Sequence, residues 1–312
     1  MSIYFRKSII LFFLFLYSFP ISAKSGVTYT FSGGRLGDCL LSYCHALWAA
    51  HVFDLDLIYK PFKYSDQLML HTTDILYSEE IVKHYKQVLH INYALQYGVQ
   101  PDTLYVVPFF CESHIEKNDP MFPFLFQVDW KDLGYKQALK KRICPRFGLR
   151  QLILPTDGIT IALHVRKGTG WDIPRFAPNF EKLMDIHPLR WLPDSYYIEQ
   201  IKKIAETYST EKLYIYLFTD HDNPLEIIEN YRKIINNQRI IWKCREQDNR
   251  HDLNVLEDFF ALTQFDCFIR NDSNFAVMAS KLGNYKLMIG PWNSRKIGDT
   301  YVVDEIIVEY NT

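Results

Sequence analysis

The chain has 312 residues, of which 48% are hydrophobic, 16% aromatic and 23% charged. That composition excludes disorder, collagen and coiled coil as readings of the whole chain. Lys plus Arg is 35 against 36 for Asp plus Glu, a formal charge of −1, so a broadly basic nucleic-acid binder is excluded and any basic group that matters acts locally.

At the start of the chain, Arg6 and Lys7 precede an apolar run from Ile9 to Phe19, which ends in Pro20, Ser22 and Ala23. The run is shorter than the ~20 residues of a membrane span. It predicts a signal peptide over 1–23 with cleavage after Ala23. The other reading is a short uncleaved anchor with its basic end in the cytosol. Either one places the protein in the secretory lumen or outside the cell, with no other membrane contact.

From residue 24 onward, short apolar strands alternate with amphipathic helices. Residues 27–31 predict a strand and 33–38 a glycine-rich turn. A helix follows, with Leu40, Leu41, Cys44, Leu47 and Trp48 on one face. Residues 55–60 predict the next strand, which completes a right-handed parallel crossover. The stretch 61–155 is less regular, with a helix predicted near 79–91 and a strand over 103–110. In the second half, strands are predicted over 159–166, 212–219, 239–243, 265–270 and 285–290. Helices are predicted from Asp194 as cap, from Pro224 to about Lys233, around Leu253–Phe260, and over Phe275–Leu282. The pattern predicts an α/β protein with two doubly wound parallel sheets. One domain spans 24–155 and the other 156–312, with the boundary near 150–158.

Ligands of open parallel sheets sit beyond the carboxyl ends of the strands, and four loops there carry unusual residues. The first contains Gly33, Gly34, Gly37 and Asp38. It can cradle a phosphate at a helix N-terminus, or it can simply join strand to helix with Asp38 as cap. The second is His164–Asp172. Alternation puts His164 and Arg166 on one face at the strand end, Lys167 adds charge, and Gly168 and Gly170 leave room, which together favour an anion site over a buried ion pair. The third contains Asp220, which either holds a ligand hydroxyl or cation or caps the helix at Pro224. A metal held by Asp220, His221 and Asp222 is disfavoured because adjacent side chains diverge, so no metal site is expected. The fourth runs Asn271–Asp272–Ser273–Asn274–Phe275. It is either a helix cap or a second phosphate cradle. Its glycosylation sequon is expected to stay unmodified, because a glycan there would block the site.

Six cysteines, Cys39, Cys44, Cys111, Cys144, Cys244 and Cys267, have no CxxC spacing, so a zinc site is not expected. An exported protein permits disulfides, but Cys39 and Cys44 face different sides of their helix and Cys267 reads as core.

Three segments, GGRLGDCLLSYCHALW, ALHVRKGTGWD and LEDFFALTQFDCFIRNDSNFAVMAS, occur in the order found in the GDP-fucose-dependent fucosyltransferases, which the chain resembles. Its features are closest to the α1,6-type branch that includes the bacterial nodulation enzymes. The second segment resembles the family's His-x-Arg-Arg-Gly or His-x-Arg-His-Gly motif. The resemblance implies a GT-B-like pair of facing α/β domains with the donor gripped mainly by the second. It implies an inverting, metal-independent transfer of fucose from GDP-fucose, with no cofactor, to a glycan or glycoprotein. The phosphate-binding arginine corresponds to Arg166 and the motif histidine to His164. Lys167 stands at the second basic position, Gly168 at the glycine, and Ser273 with Asn274 in the polar loop. Asp258 corresponds to the acidic residue, a partner for guanine or ribose. Asp172 is the candidate base, and Trp171, Trp191 and Tyr196 are candidates for stacking on acceptor sugar. Departures at Lys167, which lacks the guanidinium fork, and at Thr169 keep open another nucleotide sugar as donor. A non-catalytic glycan-binding protein on the same scaffold is the third reading.

Overall fold

The structure is a computed structural model that describes residues 24–91, 98–109, 128–167, 185, 187–250, 252–298 and 300–310. The leader predicted over 1–23, Cys111 and the tract from Gly168 to Asp172 lie outside the described residues.

The first half builds a parallel sheet from β1 (Gly26–Tyr29), β2 (Asp56–Tyr59), β3 (Ile75–Leu76), β4 (Gln87–His90) and β5 (Thr103–Val107), in the order β3-β2-β1-β5-β4. Every residue of β1 and β5 is buried. Their continuous apolar character therefore fits a parallel sheet covered on both faces. Helix α1 (Leu36–Phe53) makes the crossover from β1 to β2 and buries Leu40, Leu41, Cys44 and Leu47. After α2 (Leu70–Thr73) comes α3 (Glu79–Lys83), which is much shorter than the helix predicted over 79–91. Gln87–His90 pair with Thr103–Val106 instead. A free parallel ladder beside β5 there overrides local helical spacing. Helix α4 (Leu133–Arg142) packs back on α1 through Tyr135, whose hydroxyl donates to the Cys44 carbonyl at 2.7 Å.

The second sheet comprises β6 (Ile159–Val165), β7 (Leu213–Thr219), β8 (Ile240–Cys244), β9 (Cys267–Ile269), β10 (Leu287–Ile297) and β11 (Thr300–Tyr310), in the order β11-β10-β9-β6-β7-β8. Its helices are α5 (Asp194–Thr207), α6 (Pro224–Ile235), α7 (Val255–Leu262) and α8 (Asn274–Leu282). All pairings are parallel except β10 with β11. The predicted strand over 285–290 is the first part of β10. Beyond it the chain continues as a long hairpin turning at Gly298 (φ 59°). Pro291 is tolerated there because β9 pairs only with Leu287–Ile289, and the β10–β11 register shifts at that point.

Two apolar cores result. One lies between β6, β7, α5 and α6 and includes Leu163, Tyr197, Ile201, Ile215 and Tyr231. The other runs without a break from Tyr29, Leu40 and Leu47 in the first half to Phe259, Met278 and Leu282 in the second. Cys267 is fully buried, and among the described residues no two cysteines are joined by a disulfide. No described helix is long and apolar enough to cross a membrane.

Candidate functional site

In the second sheet the chain moves from β6 outward to β7 and β8, then returns to the other side of β6 as β9. The strand order reverses between β6 and β9, and a crevice opens there at the carboxyl ends. The β1–α1 loop of the first half faces it. The result is a cleft of about 440 Å³, lined by residues 33–39 and 63–64 of the first half and by His164, Arg166, Arg190, Asp220, Asp258 and Ser273–Phe275 of the second. That size suits a nucleotide-sized ligand.

Arg166 leaves the end of β6 with a side chain only 12% exposed. Its Nε stands 3.7 Å from Asp220 Oδ2, and its guanidinium lies 5.7 Å from the Trp191 ring centre. That buried Nε donates no hydrogen bond. Burial, followed by the like charges of Arg35 and Arg190 and opposed by Asp220 and Asp38, pushes its pKa down to about 10. It remains a cation at neutral pH. The pairing with Asp220 is thus loose, and the guanidinium still faces the groove between the halves.

The tautomer of His164 follows from its neighbours. Asn271 Oδ1 accepts from the Ser273 backbone N–H at 3.1 Å, which fixes the orientation of the amide. The same oxygen lies 3.1 Å from His164 Nδ1. Nδ1 therefore donates, and Nε2 is left as an acceptor. Burial, with Arg166 adding to it, pushes the His164 pKa down to about 4. The imidazole is neutral at pH 7 and a weak base. Its chemistry is to hold a hydroxyl or N–H rather than to remove a proton. Its ring lies 5.8 Å from that of Phe275.

The glycine loop divides its roles. Gly33 has φ 85°, a conformation that calls for glycine. A Cβ on Gly34 would meet the Asp38 side chain, whereas one on Gly37 would overlap the backbone of Asn274 and Phe275. Gly37 therefore lets the N-terminal ends of α1 and α8 touch across the two halves. Asn274 Nδ2 donates to Asp38 Oδ1 at 2.8 Å on the same seam. The N-cap of α1 is Arg35, and Asp38 is bonded to Asn274 rather than capping α1.

Several predicted site residues sit elsewhere. The alternation that aligns His164 with Arg166 sends Lys167 the other way. Its Nζ donates to Asp194 Oδ1 at 2.6 Å, an oxygen that also accepts from the Tyr231 hydroxyl at 2.6 Å. Lys167 is not among the residues lining the cleft. Pro193 occupies the cap position of α5 in place of Asp194. Asp220 Oδ1 accepts from the Lys167 backbone N–H at 2.8 Å, so it ties two strand ends together and does not cap α6, whose cap is Asn223. Asn271 is fully buried, which leaves no room for a glycan. Asp272 donates its backbone N–H to the Leu189 carbonyl at 3.1 Å and faces Arg270 at 3.8 Å. Neither Asn271 nor Asp272 lines the cleft; both support it. Ser273 is the side-chain cap of α8, accepting from the Ala276 N–H at 3.3 Å, and it also lines the cleft. Asp258 lines the cleft while holding Arg245 through two bonds at 2.8 and 2.5 Å. Burial raises its pKa against the pull of Arg245. Gly168 and Asp172 lie outside the described residues. Trp191 and Tyr196 are buried, Trp191 against the guanidinium of Arg166 and Tyr196 with its hydroxyl on the Arg270 carbonyl at 3.2 Å, so neither offers a face to an acceptor sugar.

Lys63, Tyr64, Arg190 and Arg250, on the other hand, line the cleft, as does Arg35. Arg35 lay in plain view inside the glycine loop. The others come from irregular segments with no strand-end signal. Among the described residues, no three His, Cys, Asp or Glu side chains gather in a way that could hold a metal.

No protein-family model matches the sequence, and no curated protein is similar enough to match it. Among solved structures, a point mutant of Arabidopsis thaliana FUT1 in complex with GDP is similar with a TM-score of 0.54. The identity is 14%, over 89% of this chain and 72% of that one. The chain therefore has a GT-B-like α/β fold. The fucosyltransferase NodZ from Bradyrhizobium has a TM-score of 0.44 and 10% identity over 93% of this chain and 99% of that one. Of the two sheets, the second carries the Arg166 guanidinium and the polar entrance of α8 to the cleft.

Proposed function

We propose that the protein is an inverting, metal-independent glycosyltransferase that moves fucose from GDP-fucose to a glycan or glycoprotein. The observation that carries this reading is Arg166, held at the strand-order switch point of a GT-B scaffold and facing the groove between the halves. The GDP seen in the Arabidopsis FUT1 complex supports a nucleotide in that groove.

In this reading the bond between sugar C1 and the β-phosphate oxygen breaks and leaves GDP. The acceptor hydroxyl oxygen attacks C1 from the opposite face. Negative charge grows on the diphosphate as the bond stretches, and the Arg166 guanidinium and the N-terminal end of α8 stabilise it in a site partly shielded from water. His164 Nε2 accepts a hydrogen bond from the sugar or nucleotide and keeps it oriented. Asp172, eight residues after His164 in the sequence, takes the acceptor proton. Asp258, already clamped by Arg245, presents an acidic edge to the nucleoside. Residues 1–23 deliver the enzyme to the secretory lumen.

The test is calorimetric titration of the full chain with GDP-fucose, followed by turnover on a glycan array with a panel of nucleotide sugars. Arg166→Ala removes donor binding in a folded protein. Unchanged GDP-fucose affinity in that variant overturns the reading, and turnover with another sugar nucleotide reassigns the donor.

A further inference from the structure

We propose that Arg190 is the second phosphate-gripping cation of this cleft, in the role that the motif assigns to Lys167. The inference rests on the reading of the cleft as a diphosphate site and names a residue of that site which no sequence motif marks.

Three placements carry it. Lys167 is committed elsewhere, with its ammonium on Asp194 and away from the cleft. Arg190 lines the cleft, and its guanidinium lies 5.9 Å from the ring centre of Trp191, the same indole that Arg166 approaches at 5.7 Å. The buried indole is thus a shared shelf for two planar cations. Finally, the turn that bears Arg190 is anchored. The Arg190 backbone N–H donates to the His187 carbonyl, and the Leu189 carbonyl accepts from Asp272, each at 3.1 Å. Both guanidiniums thereby lie within 6 Å of one buried ring centre, each on an anchored stretch of backbone.

Burial is the largest cause of the lowered Arg166 pKa and Asp220 opposes it, while the like charges of Arg35 and Arg190 add to it by mutual repulsion. A ligand with two adjacent anionic groups relieves that repulsion, and two forks match the oxygens of a diphosphate better than one fork and an ammonium do. Arg190 belongs to the loop that joins β6 to α5, whereas Arg166 ends the strand.

The experiment titrates inorganic pyrophosphate, GDP and guanosine into the full chain, into Arg190→Gln and Arg190→Lys, and into Lys167→Gln. Folding is checked by circular dichroism. Arg190→Gln is expected to weaken pyrophosphate and GDP about tenfold or more while leaving guanosine unchanged. Arg190→Lys keeps the charge and loses the fork, and falls between. Lys167→Gln shifts each affinity by less than about threefold, because its ammonium faces Asp194. Wild-type pyrophosphate affinity in folded Arg190→Gln overturns the inference and leaves the diphosphate reading standing. So does an equal loss for guanosine, or failure of both Arg190 variants to fold, since either makes the residue purely structural. Pyrophosphate binding with no preference for GDP retains Arg190 and removes the nucleotide reading. Absence of both from the wild-type protein removes both.

Discussion

Gly37→Ala has an outcome opposite in sign to the usual one. Glycine in a helix is ordinarily worse than alanine by about 1 kcal/mol, so the exchange should stabilise α1. Here the added methyl would sit 2.7 Å from the Phe275 Cα and closer still to neighbouring backbone atoms of α8, which cannot swing aside as a side chain can. The helices must part. Overpacking of that kind costs about 1–3 kcal/mol. Parting also stretches the 2.8 Å bond between Asp38 and Asn274, a charge-assisted bond worth about 1.5–3 kcal/mol when well shielded and less at this half-exposed seam. After the helix gain is deducted, the net loss is about 1–4 kcal/mol. Arg35 at the start of α1 moves with the seam, so GDP affinity falls as well. Urea denaturation of Gly37→Ala beside Gly148→Ala, whose Cβ meets no atom within 4 Å, measures the difference. A Gly37→Ala protein as stable as the wild type, or more so, refutes the close approach of the two helices.

Other consequences follow from single contacts. Asn271→Leu strands two buried donors, the Ser273 N–H and His164 Nδ1, and should cost about 2–4 kcal/mol by denaturation, whereas Asn271→Asp retains an acceptor, costs less and raises the His164 pKa by NMR titration. His45 and His164 are buried neutral, with pKa values of about 3 and about 4. Because the unfolded chain binds their protons near pH 6.5 and the folded chain does not, stability should fall as pH drops from 6.5 toward 4, by up to about 1.4 kcal/mol per pH unit for each histidine, and His45→Gln should flatten the slope. Asp74 accepts from Arg142 Nε at 2.9 Å and from the Tyr43 hydroxyl at 2.6 Å. Asp74→Ala leaves that cation unpaired and should cost about 3–5 kcal/mol, with part restored by Asp74→Asn.

The ends of β6 and β9 were legible because buried parallel strands read as short apolar runs that give way to polar residues, as Ile161–Leu163 and Cys267–Ile269 do before His164–Arg166 and Arg270–Asn271. Their convergence follows from the topology alone. Side-chain direction was partly legible as well. The alternation that pairs His164 with Arg166 already separates Lys167 from them, although a resemblance in motif suggests otherwise. Contacts that depend on distant segments left no local trace. Arg190 reaches the cleft because Leu189 is bonded to Asp272, more than eighty positions away in the chain. The strand at Gln87–His90 exists because β5 offers it a ladder. The hairpin from Leu287 to Tyr310 has only moderate alternation and a proline inside it, which hides a strand whose open side lies past the end of β9.

The unbroken apolar core that joins Leu40 and Leu47 to Met278 and Leu282 limits how this molecule can admit a ligand. A pair of jaws swinging on a flexible hinge would have to tear that core and wet it at every cycle. At the rim of the groove the Lys63–Tyr64 corner meets the Asp252 carbonyl through a 3.2 Å bond from the tyrosine hydroxyl. Side-chain packing on that same core backs the hydrogen bond, so the seam between the halves is apolar from its centre out to this corner.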